Sequence, residues 1–201
     1  MDKVLLVFQK NPELGKVKTR LAVSMGQENA LDIYLKLIGH TKTIIDPISA
    51  EKQIWYSSWV EHDDNWDLAD YNKFTQRGEG LGNRMMHSFD FAFKDPNNKR
   101  VIIIGTDCVE ITTAIINDAF ESLETHDFVI GPANDGGYYL LGMNSYYPNV
   151  FEGVEWSTAT VCNTTIEKIK SLNKSVHLLP TLSDVDNEED WNNVKNLIEL
   201  E

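Results

Sequence analysis

The chain is short of the features that mark an extracellular or membrane-bound protein. Only two of its 201 residues, Cys108 and Cys162, are cysteine, too few for a disulfide framework. The longest unbroken apolar run, VLLVF at positions 4–8, falls far short of the roughly 20 residues that cross a bilayer. Met1-Asp2-Lys3 and the apolar residues behind it lack the length and cleavage site of a secretory signal. Together these scarcities predict a cytoplasmic protein. Basic residues are also scarce, 18 against 31 acidic, for a formal net charge of −13. Nucleic acid and anionic membranes both require a basic footprint, so neither is expected as a partner. A small anionic ligand stays open, because a local basic cluster can act against the global charge.

Other absences narrow the chemistry. There is no internal repeat, low-complexity tract or Pro/Gly/Ser linker, so residues 1–201 are read as one domain. His40, His62, His87, His126 and His177 show no zinc-ligand spacing. Cys108 has no histidine in a recognisable partnering motif and reads as a small buried residue. Neither GxxxxGK[ST] nor GxGxxG occurs, which leaves a P-loop NTPase and a dinucleotide binder without support.

What is present is an alternation of strand and helix patterns. VLLVF (4–8), QIWYS (53–57), VIIIG (101–105), DFVIG (127–131), YYLLG (138–142) and SVHLL (175–179) read as strands. Apolar positions 31, 34, 35, 38 and 45 fit a helix that stops near Asp46, because Pro47 disfavours helical geometry before it. Leu81, Met85, Phe89 and Phe93 share a helical face. Thr112 or Thr113 can cap a helix carrying Ile115, Ile116, Ala119, Phe120 and Leu123. Val161, Thr165, Ile166, Ile169 and Leu172 mark another, and Trp191, Val194, Leu197 and Ile198 a last one. WVEHDDNWDLADY (59–71) reads as a packed surface helix with aromatic anchors, or else as a partner surface. Such alternation predicts an α/β protein with a mainly parallel sheet covered on both faces. Asp135-Gly136-Gly137 between two strand-like runs predicts an antiparallel hairpin.

In such sheets ligands bind beyond the carboxyl ends of the strands. After the first strand, QKNPELGKVKTRL (9–21) gathers Lys10, Lys16, Lys18 and Arg20, with Pro12 and Gly15 bending the loop and Thr19 opening a helix. Cations beside helix-start N–H groups suit a phosphate, against the plainer reading of a solvated loop. TQRGEGLGNRM (75–85) places Gly78, Gly80 and Gly82 beside Arg77 and Arg84, either as a ligand loop or as a flexible turn. Asp107, just past the third apolar strand, suits a hard divalent cation or a turn. In LSDVDNEEDW (182–191), Asp186 with Glu189 reads as a capping box. Equally, Asp184 or Asp186 reads as a second metal ligand that meets Asp107. Bare backbone at Gly136 and Gly137 is expected to face a ligand, with Asp135 nearest the acceptor.

FQKNPELGKVKTRL, QRGEGLGNRM, IGTDC, GPANDGGYYLLG, EWST and LSDVDNEED, in this order, resemble the bacterial DUF2064 family of the nucleotide-diphospho-sugar transferase (glycosyltransferase A) superfamily. Some of its members are named arsenosugar-biosynthesis glycosyltransferases. The Lys-Thr-Arg loop and the Asp-Gly-Gly are also similar to those of phospholactate guanylyltransferase, a nucleotidyltransferase. The resemblance implies a Rossmann-like three-layer α/β/α fold that binds a nucleotide at its carboxyl edge. By position, Lys18 and Arg20 match its phosphate loop and Asp107 its metal position; with the loop readings above, Lys10, Gly15, Lys18, Arg20, Gly78, Gly80 and Arg84 are expected around phosphate, and Asp107, Asp184 and Asp186 around Mg²⁺ or Mn²⁺. Asp135, Gly136, Gly137, Tyr138 and Trp156 would form the acceptor loop. Val109 stands where the family usually has proline, and the Asp-x-Asp of many glycosyltransferases is reduced to Thr106-Asp107. Three functions follow from these residues. One is glycosyl transfer from a nucleotide-sugar to a small acceptor, with Asp107, Asp135, Lys18 and Arg20 as catalytic groups. Another is nucleotidyl transfer from an NTP with pyrophosphate release, and a third is nucleotide binding without catalysis.

Overall fold

The structure, a computed structural model, describes residues 2–199. Strand β1 (Lys3–Gln9) buries Val4, Leu5, Leu6 and Val7 completely, because it lies in mid-sheet with both faces covered. On one side it pairs in parallel with β2 (Glu51–Tyr56), and β2 with β3 (Tyr71–Thr75). On the other it pairs in parallel with β4 (Arg100–Ile104). Strand β6 (Tyr138–Met143) runs antiparallel between β4 and β5 (Phe128–Pro132), and β7 (Val176–Leu178) is parallel to β5. The order is β3-β2-β1-β4-β6-β5-β7.

Two apolar clusters, one on each face, make the three layers. One holds the inward residues of α1 (Thr19–Met25), α2 (Gln27–Ile45), α4 (Thr113–Ser122) and α6 (Glu188–Glu199). The other holds those of α3 (Gly80–Phe93) and α5 (Val161–Ser171). Helix α2 buries Ala30, Ile33, Tyr34, Leu37, Ile38, Thr41, Ile44 and Ile45, a three-and-four spacing that keeps one stripe on the sheet. It ends at Asp46, before Pro47, as expected. Thr112 caps α4 by accepting the Ile115 N–H.

Three expectations are corrected. Residues 59–70 form turns and no helix. Asp64 and Asp67 accept the N–H groups of Trp66 and Ala69, and such local bonds compete with helix formation. Trp66 is nevertheless a core anchor, buried with its Nε1–H on Gln9 Oε1 at 2.9 Å, while Trp59 is exposed. Tyr71 opens β3, an edge strand that its mixed sequence hid. Leu81 and Leu197 also point outward, 46% and 48% exposed.

The hairpin is present, with residues 133–137 joining β5 to β6 and a bulge at Gly131/Pro132. Asp135 Oδ1 accepts the Gly137 N–H at 2.8 Å, which tightens the turn. Gly136 packs against protein. Its φ is +88°, and a Cβ there would lie 2.0 Å from the Ala159 carbonyl oxygen. Its own carbonyl accepts the Cys162 N–H at 2.9 Å. The glycine lets the hairpin dock against the segment leading into α5. Gly136→Ala should therefore destabilise the fold by at least about 2 kcal/mol, read as a lowered urea midpoint. An unchanged midpoint with weakened ligand binding would return Gly136 to the ligand.

Candidate functional site

From β1 the chain passes through α1 and α2 to β2 on one side, and from β4 through α4 toward β5 on the other. The carboxyl ends of β1 and β4 thus part at a topological switch point, where ligands of open α/β sheets sit. A cavity of about 640 Å³ opens there. It is lined by Lys10, Lys18 and Arg20 from the first loop, and by Gly105, Thr106, Asp107 and Cys108 from the loop after β4. Gln76, Leu81, Arg84 and Met85 from the α3 entrance, Tyr138 from β6, and Asp184 and Asp186 ahead of α6 also line it.

Lys18 holds these pieces together. It stands at the start of α1 with left-handed backbone, φ 46° and ψ 45°, a conformation that costs a non-glycine residue about 1 kcal/mol or more. Its side chain is only 6% exposed, and its ammonium lies 2.7 Å from Asp107 Oδ1. The same ammonium donates to the Val185 carbonyl at 2.6 Å, and the Val185 N–H donates to the Asp107 carbonyl at 2.9 Å. A buried ammonium is tolerable only when paired and hydrogen-bonded in this way. Arg20 makes a different pair, Nη1 to Asp186 Oδ2 at 2.9 Å, with 79% of its side chain exposed.

The segment before α6 corrects the expected cap. Asn187 is the capping residue: its Oδ1 accepts the N–H groups of Glu189 and Asp190, and Asp190 Oδ2 returns to the Asn187 N–H at 3.0 Å. This is a capping box displaced by one residue from the Asp186–Glu189 reading. Asp186 is thereby available to Arg20, and Asp184 to the cavity. Burial pushes the Asp184 carboxyl up to about 7. The charges of Asp107 and Asp135 add to this, Lys18 opposes it, and Asp186 adds a smaller push.

The floor contains groups that sequence reasoning missed. The buried Tyr34 hydroxyl accepts the Lys10 N–H at 2.8 Å and donates to the Lys10 carbonyl at 3.1 Å. Thr106 Oγ1 lies 3.4 Å away. Tyr34 thus pins the first loop to the loop after β4, but in sequence it counted only as an apolar helix position. Gln76 follows the unrecognised strand β3, and its Oε1 accepts from Arg84 Nη1 at 3.3 Å. His40 Nε2 lies 2.9 Å from the Val109 carbonyl and steadies the loop behind Asp107. Burial and Asp184 push the Cys108 thiol up to about 12, so it is protonated and inert at neutral pH.

Several expected residues do not line the cavity: Gly15, Gly78, Gly80, Asp135, Gly136, Gly137 and Trp156. A Cβ on Gly78 would meet Asn83 at 2.9 Å, and one on Gly82 the Trp156 indole at 2.3 Å. At both positions the missing side chain admits neighbouring protein. Asp135 is engaged in its turn, and it is the charge of its carboxylate that reaches Asp184.

No three His, Cys, Asp or Glu side chains among the described residues form a group able to hold a metal ion. Asp107 and Asp184 supply two hard oxygen donors to one cavity. That donor set fits Mg²⁺ or Mn²⁺ arriving with a phosphate group, since Mg²⁺ is usually held by one or two carboxylates plus phosphates and water. Asp186 lines the same cavity and is paired with Arg20.

The sheet order and the switch-point crevice define a fold shared by nucleotide-diphospho-sugar transferases and cytidylyltransferases. Residues 41–158 match the model of the family described as "uncharacterized protein conserved in bacteria (DUF2064)", and the chain belongs to that family. A candidate nucleotide-diphospho-sugar transferase from Desulfovibrio desulfuricans superposes with a TM-score of 0.84 at 29% identity, over 99% of this chain and 97% of that one. The 4-diphosphocytidyl-2C-methyl-D-erythritol synthase of Anaerococcus prevotii superposes with a TM-score of 0.61 at 10% identity, over 98% of each chain. The 2-C-methyl-D-erythritol 4-phosphate cytidylyltransferase of Thermus thermophilus gives 0.57 at 10% identity, over 99% and 100%. At those lower identities the likeness concerns the fold alone. No curated protein matches the chain. No described helix is long and apolar enough to cross a membrane.

A carboxyl raised on folding favours the fold at low pH and opposes it once both states are ionised. The Asp184 penalty is therefore absent below about pH 4, grows as pH rises through 7, and stays constant above that. Asp184→Asn should raise stability by roughly 1–3 kcal/mol at pH 8, with the gain shrinking toward pH 4. Urea unfolding of both proteins across pH 4–9 measures this, and a gain independent of pH would contradict it.

Proposed function

We propose that this protein is a metal-assisted glycosyltransferase that moves a sugar from a nucleotide-diphospho-sugar to a small acceptor. The observation that carries this reading is the juxtaposition of Lys18, Asp107 and Asp184 at the switch-point cavity. The similarity to a candidate nucleotide-diphospho-sugar transferase over nearly the whole of both chains agrees with it.

Glycosyl transfer places growing negative charge on a departing diphosphate, and fixed cations stabilise that charge. Lys18 and Arg20 are placed to take diphosphate oxygens, with Lys10 and Arg84 on the same cavity wall. Asp107 and Asp184 would hold Mg²⁺ or Mn²⁺, whose charge, when bound, further neutralises the leaving group. Asp135 lies outside the cavity lining, so its part in this reading is the charge it places on Asp184. Leu81, Met85 and Tyr138 give the cavity an apolar wall.

A second reading, nucleotidyl transfer with pyrophosphate release, has support in the number of cations that reach one cavity. The pairing of those cations weakens it. Lys18 is held by Asp107 and Arg20 by Asp186, which offsets part of the positive charge that a triphosphate would meet.

Nucleotide-sugars offered with sugar, alcohol and phosphorylated acceptors should release nucleoside diphosphate only when the acceptor is present. Pyrophosphate release from an NTP plus a sugar phosphate would replace this reading with the second, and inertness in both assays would leave a binding module. Asp184→Asn should lower turnover at least about 100-fold while the protein stays folded. Arg20→Ala, at an exposed site, should raise the donor KM about tenfold with an unchanged melting temperature.

A further inference from the structure

Lys18 is placed at odds with several simpler arrangements. Its backbone is left-handed, its side chain is nearly buried, and its ammonium covers a carboxylate oxygen that faces the cavity. The backbone carbonyl of Val185 fixes the ammonium from a second side. Arg20, two residues on, shows the alternative: an exposed pair on Asp186 that covers nothing.

We propose that Lys18 is a built-in counterion that keeps a divalent cation off Asp107 until a substrate diphosphate draws the ammonium away. This rests on the reading of Asp107 as a cation ligand. An ammonium 2.7 Å from Asp107 Oδ1 and a divalent cation on the same carboxylate would repel each other at contact distance. In the ligand-free protein Lys18 therefore neutralises Asp107. A diphosphate at the cavity offers the ammonium a more highly charged partner, and the flexible lysine stem lets the charge move while its backbone stays in place. One ion pair, Lys18 with Asp107, is exchanged for two, Lys18 with phosphate and Asp107 with the cation. Asp107 becomes able to bind the cation only when phosphate is there to share it, so cation and donor bind as a unit. An arginine would not serve as well, because its bidentate fork holds a carboxylate more firmly than a point charge does.

The test is a titration of Mn²⁺ followed by the paramagnetic resonance signal of the unbound ion, with and without inorganic pyrophosphate. Without pyrophosphate, Lys18→Met should bind Mn²⁺ at least about tenfold more tightly than the wild type, and Lys36→Met, which breaks a pair with Asp32 on α2 outside the cavity, should match the wild type. Adding Asp107→Asn to Lys18→Met should abolish the gain. In the wild type, pyrophosphate should strengthen Mn²⁺ binding, and in Lys18→Met that strengthening should shrink. Lys18→Gln, whose amide can still bond the Val185 carbonyl, provides the same comparison if the methionine variant melts early. Mn²⁺ binding no tighter in the folded Lys18 variants, or tight binding to the wild type without pyrophosphate, would overturn the counterion role alone. If Asp107→Asn leaves Mn²⁺ binding unchanged with pyrophosphate present, the cation is not held there and the functional reading falls with the proposal.

Discussion

The ammonium of Lys18 is bound to Asp107 and to the Val185 carbonyl, and the rest of the site is arranged around that contact. It joins three segments that are far apart in sequence. Parallel pairing of β1 with β4 brings the first two loops side by side. The third comes from the far end of the chain, and the Val185 N–H on the Asp107 carbonyl fixes it in place. Asn187 begins the capping box of α6 two residues later, and Trp191 and Val194 of that helix are buried in the same cluster as α2. The start of α6 is thus set by the contact that sets the site. Removing the Asp107 carboxylate would leave the nearly buried Lys18 ammonium without its charge partner, which is far worse for the fold than losing an exposed pair.

The electrostatics follow from a chain of net charge −13 that concentrates cations in one loop. Most of those cations are already matched to carboxylates: Lys16 to Glu13, Lys18 to Asp107, Arg20 to Asp186. Asp184 is the exception. It sits half-buried among Asp107, Asp135 and Asp186, with only Lys18 to oppose them. Folding gains nothing from such a carboxyl. Groups whose protonation is perturbed this way inside a cleft are characteristic of sites under functional rather than structural constraint.

The central fold was legible because its strands are buried on both faces and therefore read as unbroken apolar runs. VLLVF and VIIIG are such runs, and each is followed directly by a residue of the site. The edge was not legible. YNKFT in β3 alternates polar and apolar residues, and the aspartates before it make local bonds that no periodicity reveals. With β3 unseen, Gln76 at its end had no reason to be considered. Tyr34 was hidden differently: its ring fits the apolar stripe of α2, and only the fold shows that its hydroxyl reaches Lys10 and Thr106. Lys18, Arg20 and Asp107 drew notice because they stand in the loops after two apolar strands, and the structure brings them to one cavity with Asp184.

The glycines carry a different lesson. Gly82 lies in the first turn of α3 and Gly136 in the β5–β6 hairpin, and the sequence offered both as backbone that a ligand could approach. Both instead admit the segment that precedes α5, Gly82 against the Trp156 indole and Gly136 against the Ala159 carbonyl. That one segment therefore braces the entrance to α3 and the β5–β6 hairpin together. Between those two contacts, Ser157 takes a left-handed φ of 63° and reaches the cavity wall. A missing side chain reports only that something approaches closely, and a sequence cannot say whether that is substrate or protein. A charge beyond a strand end is more specific, because burying or steering it needs a partner of opposite sign. In this chain the charges gather at the switch-point cavity, and Gly82 and Gly136 mark what braces its walls.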